Sequence, residues 1–170
     1  MDKATKTAYK EQMLRVIKYV CDAQTMGLKM FLIRDEGDPF DWTLVIYTDS
    51  DWANCKDTRK SISGMNMFLC GVPVFWWSRQ QKAVSLSSTE AEWYALSEAV
   101  KEILFVAMVL LDMGILVKTP IVVRVDNMGA IFMMENASSG ACTRHVDTRW
   151  HFMRELSEDK FITVVFVPTV

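Results

Sequence analysis

The apolar positions change period along the chain, and each change marks an element. Within Ala8–Ala23, Met13, Val16, Ile17 and Val20 recur at helical spacing, with Lys10, Glu11, Arg15 and Lys18 outside that face. This predicts a first helix that Gly27 ends or follows. Leu28–Ile33 reads as a short strand or extended link. Arg34–Asp41, RDEGDPFD, packs Gly, Pro and four acids into eight residues and reads as a linker. Leu44–Tyr47 is a short apolar run with no helical period, as expected of a buried strand. Ser61–Cys70, where Ile62 alternates with polar neighbours, predicts a second strand. Gly71 and Pro73 predict a turn, and Val74–Trp77 begins a third strand. Ser87, Ser88 and Thr89 offer N-caps for a long helix reaching about Met113, with Gly114 as its stop. Pro120 precedes a fourth strand, Ile121–Val125. Asn127–Asn136 reads as a short helix with Ile131 and Met134 inward, and Ser138–Gly140 as a loop. His145–Glu158 reads as a helix carrying Trp150, Phe152, Met153 and Leu156, and Phe161–Val167 as a fifth strand.

Three strands joined by short turns make an antiparallel meander, and the later strands return through crossover helices. The result is an α/β fold, a five-stranded mixed sheet flanked by helices. We divide the chain into an N-terminal helix and extension (1–33), a linker (34–41) and a compact domain (42–170). The strands Leu44–Tyr47 and Ile121–Val125 should run parallel and end side by side. That brings Asp49, with Asp51 close by, toward Asp126 at the carboxyl edge of the sheet, where sites of α/β folds form. The long helix adds an acid from its first turn, Glu90 or Glu92. Each glutamate also has a structural use, since Ser87 with Glu90 and Thr89 with Glu92 both have capping-box spacing.

Composition narrows the picture. The 170 residues suffice for one core, and 51% are hydrophobic. A net charge of -2 gives no whole-chain attraction to nucleic acid, so such binding requires a local patch. Cys21, Cys55, Cys70 and Cys142 are scattered without a C-x-x-C pair, the usage of reduced thiols in an intracellular protein. The polar start lacks a signal-peptide apolar region. The longest apolar run, Ile103–Leu111, is too short to span a bilayer. Twelve methionines fit an adaptable core or a surface that packs on a partner.

Three convergent carboxylates repel one another, and a divalent cation resolves the conflict. Hard Mg²⁺ takes oxygen ligands, commonly carboxylates plus a substrate phosphate. Two such ions roughly 4 Å apart suit in-line phosphodiester cleavage. No Ser–His or Cys–His spacing competes with this reading, and His145 and His151 lack the i, i+4 spacing of a zinc-binding helix.

The blocks YTDSDWA, DTRKSISG, WWSRQQKAVSLSSTEAEWYALSEAVKE, IVVRVDNMGAI and TRHVDTRWHFMRE, followed by VPT, resemble the ribonuclease H domain of Ty1/copia-type retrotransposon Pol polyproteins. The likeness spans about Leu44–Thr169, in order. YKEQMLRVIKYVCDAQTMGLKM resembles the end of the preceding reverse transcriptase region. The resemblance implies a ribonuclease H-like fold and hydrolysis of the RNA strand of an RNA–DNA hybrid with two Mg²⁺ ions, Mn²⁺ being an acceptable substitute. By motif, the catalytic and metal-binding acids fall on Asp49, Glu92 and Asp126. Glu92 is preferred to Glu90 because E-W-Y-A matches the family's E-x-x-A. Asp51, His145 and Asp147 are auxiliary candidates.

The family's fourth acid lies in a helix after V-P-T, and this sequence stops at Val170. The expectation from sequence is therefore three of four acids and weakened activity. The alternative is a catalytically weak, domesticated copy acting as a binding or structural module among other protein subunits. Another nuclease or an integrase of the same broad fold leaves SSTEAEW and DTRKSISG unexplained. Hybrid contacts are expected from Lys56, Arg59, Lys60, Arg79 and Lys82. Trp76 and Trp77 are adjacent in a strand, so one should face inward and the other outward.

Overall fold

A computed structural model describes residues 3–27, 41–135 and 144–168 of the chain. The chain divides into two compact units, residues 1–30 and 31–170. The first unit holds α1 (Lys3–Asp22), closed by a turn in which the Met26 N–H reaches the Ala23 carbonyl. The helix begins five residues before the expected Ala8. Its polar first turns, which contain no Gly or Pro, carry no apolar period that would reveal them. The expected link Leu28–Ile33 lies outside the described residues, as do Arg34–Phe40 of the linker and the loop Ser138–Gly140.

In the second unit the strands are β1 (Leu44–Asp51), β2 (Ile62–Leu69), β3 (Val72–Gln80), β4 (Ile121–Val125) and β5 (Ile162–Phe166). The helices are α2 (Ser88–Asp112), α3 (Met128–Glu135) and α4 (Arg144–Glu158). The sheet order is β3-β2-β1-β4-β5, with β1, β2 and β3 antiparallel and β4 and β5 parallel to β1. The expected meander and crossovers are therefore present.

Alternation fixes which face of the sheet meets the helices. Leu44, Ile46 and Thr48 of β1, Met65 and Met67 of β2, and Ile121, Val123 and Val125 of β4 are buried. Val45, Tyr47 and Asp49 project to the opposite, more open face. The core joins that buried row to Trp93, Leu96, Ala99, Val100 and Ile103 of α2, Met134 of α3 and Met153 of α4. Ala91, Ala95 and Ala99 are fully buried, and their small side chains let α2 lie close to the sheet. No helix among the described residues is long and apolar enough to cross a membrane. Cys21, Cys55 and Cys70 are free thiols, and Cys142 lies outside the described residues.

Three local expectations need correction, and the structure sets the parity of β2. β1 continues beyond Tyr47 to Asp51, because β2 goes on pairing with it after β4 has stopped at the Tyr47–Arg124 pair. Ile62 is off the core face. Met65 and Met67 set the parity of β2, so Ser61 and Ser63 are buried instead. The β2–β3 turn is Cys70–Gly71, both at positive φ (50° and 79°), where glycine is suited and cysteine is strained. Pro73 lies within β3, which tolerates it as an edge strand, beside a register shift at Met67/Phe68. β3 also runs on from the expected Val74–Trp77 through Arg79 and Gln80.

Candidate functional site

Asp49, Glu92 and Asp126 each bring one carboxylate oxygen to a point where all three lie within 4.8 Å of one another. Each arrives by a different route. Asp49 sits two residues past the last β1–β4 pair, on the open face of the sheet, opposite Gly64 of β2. With no side chain at Gly64, the space beside Asp49 stays open. Asp126 directly follows β4, and Asn127 then caps α3, its Oδ1 accepting from the Ala130 N–H at 3.2 Å. Glu92 comes from the helix side, in the first turns of α2.

The start of α2 separates its two glutamates. Ser87 is the N-cap, extended at φ -143° and ψ 163°, and its hydroxyl accepts from the Glu90 N–H at 3.1 Å. Glu90 reaches back to accept the Leu86 N–H at 2.6 Å. Glu90 thus serves a capping arrangement, while Glu92 turns inward and is only 6% exposed. Its Oε1 accepts from both the N–H and the hydroxyl of Ser50, at 3.0 and 2.9 Å. Its Oε2 is buried and has no hydrogen-bond partner.

Burial pushes the Glu92 carboxyl up to about 7 against the opposing effect of the Ser50 hydrogen bonds, and the nearby Asp49 and Asp126 charges add to the rise. A buried, half-satisfied carboxylate beside two acids is costly without a cation. The donor set is all oxygen and anionic, which fits a hard divalent ion such as Mg²⁺ or Mn²⁺.

A groove of about 520 Å³ opens over Asp49 and Asp126 on the uncovered face of the sheet, walled by Tyr47, Asn66, Trp76 and Arg124. Trp76 is the outward member of the tryptophan pair at 60% exposed, and Trp77 packs against the core. Arg124 went unnoticed in the sequence. Its guanidinium lies over the Tyr47 ring, 5.2 Å from the centroid, and donates to the Tyr47 hydroxyl. The strand period carried the signal, since two residues back from Asp126 is the same face. Ser50 was also missed. Its place next to Asp49, on the alternate face, points it at the helix.

The other candidates distribute unevenly. Asp51 is outside the three-acid cluster and accepts from the Asn54 side chain. Lys56, Arg59 and Lys60 share the tight β1–β2 turn, closed by Arg59 N–H to Cys55 carbonyl and Cys55 N–H to Lys60 carbonyl bonds. Arg79 lies across Trp77 and pairs with Glu102 of α2 at 3.2 Å, so its charge is already engaged. Lys82 is exposed in the β3–α2 loop. His145 and Asp147 fall in α4 but outside the residues whose side chains are described.

A mixed sheet in this order, with helices on one face and carboxylates at the ends of two parallel strands and the start of the intervening helix, has the ribonuclease H fold. A ribonuclease H isolated from compost by a metagenomic approach matches with a TM-score of 0.54 at 16% identity, over 74% of this chain and 84% of that one. The same enzyme in complex with an RNA/DNA hybrid gives a TM-score of 0.53 at 15% identity, over 74% and 86%. A foamy viral protease-reverse transcriptase in complex with dsDNA matches with a TM-score of 0.56 at 16% identity, over 95% of this chain and 29% of that one.

In sequence, relatives include retrotransposon proteins. The retrovirus-related Pol polyprotein from transposon TNT 1-94 of Nicotiana tabacum is 37% identical over 123 residues, 72% of this chain and 9% of that protein. The corresponding polyprotein from transposon RE1 of Arabidopsis thaliana is 31% identical over 155 residues, 91% of this chain and 10% of that protein. No family model matches the chain. The chain is thus homologous to one segment of copia-like retrotransposon Pol polyproteins, and it spans about a tenth of the length of these relatives.

Proposed function

We propose that the chain is a divalent-metal-dependent ribonuclease H domain that hydrolyses the RNA strand of an RNA–DNA hybrid within a Pol polyprotein. The observation that carries this is the convergence of Asp49, Glu92 and Asp126 on one point, on a fold shared with ribonucleases H. Asp49, Glu92 and Asp126 would hold the metal. Bound Mg²⁺ supplies charge stabilisation and an activated water for phosphodiester cleavage. The protein's own share is positional. Ser50 fixes one oxygen of Glu92, and β1 and β4 hold the two aspartates at their ends. The groove beside them, with Trp76 and Arg124, gives a substrate room on the same face.

Lys56, Arg59 and Lys60 are proposed to contact the phosphate backbone, which fixes register without reading bases. The free thiols support an intracellular setting. Residues 1–33 are proposed to derive from the end of the reverse transcriptase region. The second reading, a docking or structural module, is favoured by one observation. The C-terminal part of α2 exposes Phe105, Met108 and Leu111, and the residues beyond it expose Met113 and Leu116.

Cleavage of a labelled RNA–DNA hybrid in Mg²⁺ and in Mn²⁺ tests the two readings. A hydrolase loses roughly a hundredfold or more in rate on Asp126→Asn, while hybrid binding persists. Hybrid binding without cleavage in either metal, unaffected by Asp126→Asn, rejects the hydrolase reading.

A further inference from the structure

The first turns of α2 and α3 touch at one point that no catalytic role explains. It lies between Thr89 and Gly129. A Cβ placed on Gly129 would stand 2.9 Å from Thr89 Oγ1, 3.0 Å from Thr89 Cγ2 and 2.9 Å from Asn127 Oδ1. None of these atoms yields easily. Thr89 is β-branched, and both of its branches, Oγ1 and Cγ2, stand against the position. Asn127 Oδ1 is held by its cap bond to the Ala130 N–H. Only a residue without a side chain fits between them.

The contact is three residues along the chain from each of two carboxylates. Thr89 and Glu92 are three apart on α2, which puts them on one face. Gly129 follows Asp126 by three residues, through the Asn127 cap. Helix propensity alone would favour alanine at position 129, since glycine is a poor helix former. The glycine therefore makes sense as a spacer.

We propose that Gly129 is a positioning residue that sets the separation of Glu92 and Asp126 by letting the first turn of α3 seat against Thr89 of α2. This rests on the reading of the three acids as a metal site. A methyl group at 129 pushes the two turns apart, and the push reaches the carboxylates through helices too rigid to absorb it. The expected result is weaker binding of a divalent ion, without any change in the ligand residues themselves.

The test measures Mn²⁺ affinity by electron paramagnetic resonance and thermal melting in a metal chelator, on the full chain. Four proteins are compared: wild type, Gly129→Ala, Thr89→Ala and the double variant. Gly129→Ala should weaken Mn²⁺ binding about tenfold, the scale of losing a residue that supports a ligand. Thr89→Ala should bind as wild type does. The double variant should recover part of the affinity, because trimming the threonine removes two of the three close contacts of the new methyl and leaves that with Asn127 Oδ1. Weaker Mn²⁺ binding by a Gly129→Ala protein that melts as wild type does in the chelator is the readout that a merely structural defect at 129 would not give.

Should Gly129→Ala fail to melt cooperatively, Gly129→Ala combined with Thr89→Ser removes the Cγ2 contact alone and should bind Mn²⁺ more weakly than wild type and more tightly than Gly129→Ala. Unchanged affinity in Gly129→Ala, or in its Thr89→Ser combination where Gly129→Ala does not fold, or a double alanine variant as weak as Gly129→Ala, overturns the positioning role. No Mn²⁺ binding by the wild type overturns the metal-site reading itself, and the positioning role with it.

Discussion

The two halves of α2 treat their side chains in opposite ways. From Ser88 to Val100 the helix buries polar groups, Glu92 and Ser97, among alanines and leucine. Beyond Ile103 it exposes apolar ones, with Phe105 and Met108 both above 60% exposed and only Leu110 buried. Local hydrophobicity would rank the halves the other way round. Geometry explains the inversion. A helix of 25 residues extends about 37 Å, whereas a five-residue strand such as β4 covers only about 17 Å. The sheet covers the first half and leaves much of the second half open. A side chain on α2 is buried because the sheet lies beneath it, not because it is apolar.

The largest expected effect falls in the polar half. Glu92→Gln should reduce hybrid cleavage a hundredfold or more, since it removes a proposed ligand. The same substitution should raise stability at pH 8 in a chelator, because it removes a buried charge and keeps an acceptor for Ser50. The Glu92 carboxyl lies near 7 in the folded protein against 4.5 when unperturbed. The folded state therefore binds the extra proton between those values. Its stabilising effect is complete below about 4.5 and lost as pH rises through about 7. Melting temperature in a chelator should fall across that window more steeply in the wild type than in Glu92→Gln. A wild-type profile as flat as that of the variant would contradict the burial argument.

Next in size is truncation of the core face. Leu96→Ala should cost about 2–5 kcal/mol, because Leu96 is fully buried against the sheet. Phe105→Ala, a larger truncation on the exposed half, should stay within about 0.5 kcal/mol. Urea denaturation of both variants tests this pair. A comparable loss in Phe105→Ala would mean that something covers the second half in solution.

The smallest effect concerns the basic turn. Charge reversal at Arg59 and Lys60 should flatten the dependence of hybrid affinity on salt by roughly one to two units of slope, about one for each phosphate that is no longer neutralised. An unchanged slope rejects this turn as a phosphate-binding element.

The sheet was readable from sequence because strand information is local. Leu44–Tyr47 and Ile121–Val125 announce themselves as apolar runs, and the alternation that places Asp49 and Arg124 on one face is a matter of counting by two. The acids were legible as acids at element ends, and the choice of Glu92 over Glu90 came from family resemblance. The physical reason for that choice appears only in three dimensions. Glu90 closes the cap with Ser87 and Leu86, while Glu92 meets Ser50, 42 residues earlier in the chain. The alternation of Ile62 with serines marks a strand without saying which face is inward, and Met65 and Met67 decide the parity of β2. Burial along α2 was not legible either, for it depends on where a distant sheet ends.

The edge strand β3 has one more consequence, for the behaviour of many copies together. An edge strand presents donors and acceptors that can recruit a strand from another molecule and start an aggregate. In β3 the row is broken near its beginning. Pro73 has no N–H to give, and the register shift at Met67/Phe68 distorts the ladder beside it. A proline that looks like the corner of a turn in the sequence thus leaves the sheet a poorer template for unwanted growth at concentration.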